Sequence, residues 1–313
     1  MSRYALQRLL AMFPVLLVVA IVTFLLIHIT PGDPAELMAG DEATPEQIAT
    51  IRADMGLDRP LHEQLVIYFA DILRGDLGES IFSKFKVTTL IAQRLEPTLF
   101  IALFSQLVSI IIAIPLGILA AWKANTWVDR VVMVIAVLGL AIPSFWLGAN
   151  LIWVFSVKLH WFPAIGYVPI SEGIVPWIKS ITLPSISVGF ISAALIARMT
   201  RASMLEVLRE DYVRTARAKG LGETVVLLRH AFKNASIPVV TIIGIGIAGL
   251  VSGLVVTEAI FAIPGVGRLI VDAVTRRDYP VIQGVILMVT VAYVLINLIV
   301  DLIYGYLDPR IRY

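Results

Sequence analysis

The chain has 313 residues, 58% hydrophobic and only 15% charged, with a net charge of +2. A soluble domain carries about 25% charged residues, so the composition excludes one, and the near-neutral charge gives no electrostatic case for nucleic acid. Without a single cysteine there is no disulfide framework, thiolate metal site or thiol nucleophile.

In chain order, six runs hold no Asp, Glu, Lys or Arg: 9–32, 97–122, 131–157, 180–197, 234–257 and 279–300. About 20 apolar residues in a helix cross a hydrocarbon core of about 30 Å. A spanning strand would need about 10 residues of alternating polarity, which these runs lack. The expected fold is an all-α membrane protein with six transmembrane helices. The first run follows Arg3 and Arg8 but is longer than a signal-peptide core and lacks a small-x-small cleavage pattern. Residues 1–32 therefore read as a retained first transmembrane helix.

Segment 33–96 is acidic, with twelve Asp and Glu against six Lys and Arg. Thr44-Pro45-Glu46-Gln47 predicts a capped helix start, Gly56 a helix end, and Pro60 a second helix running to Arg74-Gly75. Val87, Leu90, Ile91 and Leu95 predict a third, amphipathic stretch lying in the interface just before the second span. The segment reads as an outer helical cap or as a docking surface for a delivering protein. Residues 97–313 form the remaining core of five transmembrane helices.

An even number of spans puts both termini on one side. The short segments on that side carry thirteen Lys and Arg, against five on the other, so both termini and segment 201–233 are expected in the cytoplasm. Within that segment Leu205, Leu208, Tyr212 and Ala216 recur at helical spacing. Gly220 follows a basic last turn, as at a helix C-terminus ending in a left-handed residue. A second short helix is expected from about Glu223 to Phe232, before Asn234 and Pro238 open the fifth span. Two such helices either pack on the protein's own helix ends or dock on a cytoplasmic partner.

The segment resembles the cytoplasmic loop of ABC-importer permeases, with its Glu-Ala-Ala, three residues, Gly and later proline. Thr215 and Ala216 stand at the Ala-Ala positions, Gly220 at the glycine, and Asn234 and Pro238 at the far end. Arg214 replaces the usual Glu, and the stretch to Pro238 is long, which resembles the dipeptide/oligopeptide/nickel permease subfamily. Pro31-Gly32-Asp33-Pro34, Gly75-Asp76-Leu77-Gly78-Glu79-Ser80, Arg198-Met199-Thr200-Arg201, Pro264-Gly265-Val266-Gly267, Arg277-Asp278-Tyr279-Pro280 and Leu307-Asp308-Pro309-Arg310 resemble it too, in order along nearly the whole chain.

The resemblance implies an inner-membrane complex of two permeases, two ATP-binding subunits and an extracytoplasmic solute-binding protein. This chain would be half of the pathway for a di- or oligopeptide, with nickel and oligosaccharides as alternatives. Residues 201–233, with Arg214, Thr215, Ala216, Gly220, Leu221, His230 and Asn234, would couple it to the ATPase, and ATP would be bound by the partner subunits. The resemblance implies a transporter subunit rather than an enzyme.

Gly244-Ile-Gly246-Ile-Ala-Gly249 matches a dinucleotide fingerprint in letters, but it lies inside an uncharged run, where close helix packing explains it better. No GxxxxGK[ST], HExxH or GxSxG occurs, and four histidines (His28, His62, His160, His230) are scattered, so no cofactor or metal site is expected. His28 and Asp301 lie near span ends, where snorkelling or an ion pair accounts for them. Glu258 precedes a Pro/Gly-interrupted stretch with Phe261, Pro264 and Gly265. Irregular backbone at membrane depth needs cover by protein or a water-filled cavity, which makes the stretch a candidate external gate. A self-sufficient secondary transporter would need paired broken helices in two related halves, which one long cytoplasmic loop fits poorly.

Overall fold

The computed structural model describes residues 2–30, 32–39 and 43–307. Among them every regular element is helical: α1 (Ser2–Ile29), α2 (Pro34–Ala39), α3 (Pro45–Asp54), α4 (Leu61–Leu73), α5 (Val87–Trp122), α6 (Trp127–Ala141) and α7 (Ser144–Leu151), the last extended by a π-helical turn, Ile152–Lys158. A short 3-10 turn, Ile170–Glu172, then precedes α8 (Ile174–Val207), α9 (Asp211–Ala218), α10 (Glu223–Val225), α11 (Phe232–Ile260), α12 (Val266–Arg276) and α13 (Tyr279–Leu307). Pro31 and residues 308–310 of two family-like motifs lie outside the described residues, as does the side chain of Asp301.

Among the described residues, five helices are long and apolar enough to cross a membrane: Leu10–Ile29, Val87–Trp122, Ile174–Val207, Glu223–Ile247 and Tyr279–Val300. The third uncharged run is not the single helix expected. It breaks between α6 and the α7 pair with a bend of 105°, and makes a sixth span only if the pair counts as one. Pro143 is the cause: it lacks an N–H and holds Ile142 in an extended conformation, ψ 122°. The expected interfacial stretch at 87–95 is also not separate. It is the first part of α5, whose 36 residues rise about 54 Å at 1.5 Å each, well beyond a bilayer core.

The chain divides into two compact units, 2–95 with 269–295, and 96–268 with the residues from 296 onward. In the first, the capping box at Thr44 and Gln47 forms as expected, and Gly56 and Gly75 both have positive φ at the ends of α3 and α4. Asp33 pairs with Arg52. Burial opposes the charge on Asp33, but the hydrogen bonds from Arg52 and the Ala35 N–H win and hold its carboxyl below the usual range. Two distant motifs also meet here. The buried Ser80 hydroxyl donates to Asp278 Oδ2 at 2.5 Å, and the Ile81 N–H donates to Oδ1 at 3.1 Å.

The second unit is built around α8, which is buried along most of its length through small side chains such as Ser185, Ser187, Gly189, Ser192 and Ala194. Small residues let helix backbones approach where lipid offers no hydrophobic drive. A Cβ on Gly189 would lie 2.8 Å from the Ser105 carbonyl, and one on Gly117 2.7 Å from that of Ala197, so α5 and α8 touch at two levels. Gly139 brings α6 as close to Ala194. In α11, the fingerprint-like glycines divide. A Cβ on Gly244 would meet Val300 at 2.5 Å, whereas Gly249 has nothing within 4 Å. Packing thus explains the first glycine and not the last.

At one end of this unit Arg201 grips Asp129 with two hydrogen bonds, 2.5 and 2.7 Å, and the Asn125 N–H donates to the same carboxylate. The pair ties the α5–α6 turn to α8. Asp129→Ala strands the part-buried guanidinium and is expected to cost about 2–3 kcal/mol, less than a fully buried pair because a quarter of Arg201 is exposed. Thermal unfolding of purified protein in detergent checks this. The double variant Asp129→Ala/Arg201→Ala should recover part of the loss.

Candidate functional site: the 201–233 segment and the 258–265 turn

The apolar spacing over Leu205, Leu208, Tyr212 and Ala216 is not carried by one helix. α8 stops at Val207, a turn occupies 208–210, and α9 starts at Asp211. The chain then closes α9 with a Schellman arrangement. The Gly220 N–H donates to the Arg217 carbonyl at 2.9 Å, the Leu221 N–H to that of Ala216 at 3.4 Å, and Gly220 has φ +76°. The left-handed glycine expected from the sequence is there. The expected second short helix is not a separate one: α10 runs through the π-helical turn Val226–Ala231 directly into α11.

Val213 and Ala216 of α9 and Val226 bury together against Val207 and Leu208. Leu227, Ala231 and Ala235 pack on Ile118 and Ala121 of α5 and Met204 of α8. Burying a valine or leucine contributes about 1.5–3 kcal/mol, so the segment is anchored on the protein's own helix ends. Tyr212 joins two expected residues. Its hydroxyl accepts from Asn234 Nδ2 at 2.7 Å and donates to the His230 carbonyl at 3.4 Å. Arg217 bridges the turn to Glu223 at 2.7 Å. Arg214 and Thr215 are exposed, their side chains bonded only within α9, to Asp211. Tyr212, expected on the apolar face, is 40% exposed, and the buried residues are Val213 and Val226, which the helical spacing did not pick out.

The side facing away remains apolar and open. Leu221, Val225 and Leu228 are 40, 42 and 54% exposed, at spacings of four and three residues. Leu221 lies in the turn before α10, Val225 at the end of α10 and Leu228 in the π-helical turn.

The stretch from Glu258 to Gly265 is folded into a knot. Glu258 is fully buried. Its carboxylate accepts from the Thr98 hydroxyl at 2.6 Å and from the Arg268 N–H at 3.0 Å, at the N-terminus of α12, where the helix dipole favours an anion. Thr98 Oγ1 in turn accepts from the Val266 N–H at 2.9 Å. Phe261 is buried and its carbonyl accepts from the Gly166 N–H, while Ala262 sits at φ +50° and Pro264 is exposed. Gly265 abuts the Glu258 carboxyl group so closely that a Cβ would overlap it. Nearby, Tyr167 donates to Glu96 at 2.8 Å, and burial, then that carboxylate, push its phenol pKa up, keeping it a donor.

Mid-span, Ser109 donates to the Ser105 and Gly189 carbonyls and Ser187 to that of Ser144. The buried amide of Gln106 makes no hydrogen bond among the described residues and lies beside Gly246 and Ser192. One amide in an uncharged run of α5 was the sequence signal for it. No group of three or more potential metal ligands occurs among the described residues.

Comparison with known proteins bears on all of this. Residues 113–313 match the family of binding-protein-dependent transport system inner membrane components, and residues 1–102 match the N-terminal family of such components. The chain is 44% identical to the "Probable peptide ABC transporter permease protein" of Sinorhizobium fredii and 46% identical to the "Glutathione transport system permease protein" of Salmonella choleraesuis, each over 100% of both chains. It is 44% identical to the "Dipeptide transport system permease protein" of Alkalihalophilus pseudofirmus, again over 100% of both. Among solved structures, a chain of the inward-facing MetNI methionine ABC transporter superposes with a TM-score of 0.58 at 20% identity, covering 71% of this chain and 97% of that one. That likeness carries the fold alone. An all-helical chain with five or six apolar spans, matched end to end in this way, belongs to the binding-protein-dependent transport system inner membrane components and is the permease subunit of an ABC importer.

Proposed function

We propose that this permease forms half of the translocation pathway for di- or oligopeptides and that residues 201–233 couple it to a cytoplasmic ATPase. The names of three full-length relatives, for peptide, dipeptide and glutathione transport, support the substrate class. In this reading α6 and the α7 pair form one bent span, giving six, with both termini cytoplasmic. The complex holds a second permease, two ATP-binding subunits and an extracytoplasmic binding protein, and residues 33–96 lie outside. Gln106, beside Gly246, is a polar position on the pathway, and the Glu258–Gly265 knot is the frame of the external gate.

The observation that carries the coupling role is the exposure of three large apolar residues, Leu221, Val225 and Leu228, on a segment that Val213, Val226 and Leu227 anchor. Exposed apolar residues on an anchored segment fit a groove on a partner. Val225→Asp with Leu228→Asp should insert and fold normally yet lose at least tenfold of the ATPase subunits that co-purify, as expected of hot-spot positions worth about 2 kcal/mol or more. Unchanged recovery of the ATPase would remove the docking role.

Orientation is tested separately, because the chain has no native cysteine. Asp58→Cys and Arg217→Cys both place a thiol at an exposed position. An impermeant thiol reagent added to cells with a permeabilised outer membrane should label the first and leave the second until the inner membrane is opened. Labelling of Arg217→Cys in sealed cells would reverse the topology.

A further inference from the structure

Between α5 and α6, both packed on α8, lies a groove of about 470 Å³ that the coupling role does not use. Of its fifteen lining residues only Ser109 is polar, and that hydroxyl is turned inward onto two carbonyls. The groove therefore offers a guest no hydrogen bond. Along α8 it extends from Ile186 to Ala197, eleven steps, or about 16 Å at 1.5 Å per residue. That is half of a hydrocarbon core of about 30 Å, the depth of one leaflet. A neighbouring transmembrane helix would need a groove along the full span.

The chemistry at the groove's end identifies which lipid. The lining stripe of α8 through Phe190 and Ala194 leads one turn on to Arg198, and that of α5 through Ile112 and Leu116 leads to Lys123. Both cations are exposed, and Lys123 Nζ lies 4.0 Å over the Trp122 ring, which leaves its charge open to an anion. The Cα–Cβ bonds of α8 tilt toward its N-terminus, so the Arg198 side chain leans back over the groove. Trp122 and Trp127, 43 and 74% exposed, flank the same end, as aromatic residues do at the level of lipid headgroups.

We infer that this groove binds the acyl chain of one anionic phospholipid of the cytoplasmic leaflet, whose phosphate is held by Lys123 and Arg198. The leaflet assignment rests on the proposed orientation; the preference for an anionic headgroup does not. That leaflet carries the anionic lipid that basic pockets between helices select.

Native mass spectrometry of the assembled complex in detergent, with phosphatidylglycerol or phosphatidylcholine of the same acyl chains added, tests the proposal. One phosphatidylglycerol per copy of this chain should be retained, at least tenfold more tightly than phosphatidylcholine. Lys123→Gln/Arg198→Gln should lower phosphatidylglycerol to the phosphatidylcholine level. Ile135→Trp fills the groove from an exposed wall position and should abolish retention of both, and Ile112→Trp does the same from the opposite wall if the first variant fails to assemble. Equal retention of the two lipids by the unmodified complex would overturn the proposal. So would undiminished phosphatidylglycerol binding in the tryptophan variants, or a disulfide between Ile135→Cys and a cysteine of the second permease. A reversed topology, read from Arg217→Cys labelling, would move the site to the other leaflet without changing these ratios.

Discussion

Gly220→Val is expected to insert into the membrane at near-normal levels and to lose transport. Gly220 has φ +76°, and a residue with a side chain pays about 1–2 kcal/mol there, more if β-branched. A Cβ would meet nothing within 4 Å, so the penalty is backbone strain alone and no core is disturbed. Strain of this size opens the Schellman closure, and with it the angle between α9 and the segment that carries the exposed Leu221, Val225 and Leu228. The anchors Val213, Val226 and Leu227 lie to either side and should hold both helices folded. The measurements are membrane abundance, co-purified ATPase, and stimulation of ATP hydrolysis by loaded binding protein. Abundance within twofold of normal, with stimulation reduced at least tenfold, is the expected result. Gly220→Asn, which tolerates the left-handed conformation, should retain most activity. A valine variant that is assembled and fully active would rule out coupling through this turn.

Gly265→Ala is expected to be far more damaging to stability than the same change at Gly249. At Gly265 the new methyl would overlap the Glu258 carboxyl group, which is fixed by Thr98 and the α12 backbone and has no solvent to retreat into. Overpacking costs about 1–3 kcal/mol, and displacing a carboxylate from its hydrogen bonds about 1.5–3 more, so a total of about 2.5–6 kcal/mol is expected. The variant should be scarce in the membrane and melt many degrees lower in detergent. Gly249→Ala meets open space inside a helix and should be neutral or stabilising by up to about 1 kcal/mol. Equal stability of the two variants would mean that the knot is not rigid.

The Gly249 comparison also marks where letters mislead. Gly244 and Gly249 belong to one sequence pattern, and the small-residue reading treats them alike. Only Gly244 lies against another helix, because at 100° per residue the two glycines face different neighbours. The Glu258 stretch shows the same limit. Its Pro and Gly residues announce broken backbone, but the partner that occupies its carboxylate, Thr98, lies 160 residues earlier.

Charge and length by themselves determined that this chain is a helical membrane protein, because the cost of a charge or an unpaired backbone group in hydrocarbon forces long uncharged helices. Local chemistry likewise determined the capping box at Thr44, the ends at Gly56 and Gly75, and the left-handed Gly220, since each depends on residues a few positions apart. What only the tertiary structure decided were the long-range pairings: Ser80 with Asp278, Asp129 with Arg201, Thr98 with Glu258, and the anchoring of Val213 on Val226. It also decided that run 131–157 bends at Pro143 and that 87–95 joins the second span. Proline can end a helix, kink it or ride inside it, as Pro97 and Pro238 do, and the sequence does not choose among these because the neighbours that fill the freed space come from elsewhere in the chain.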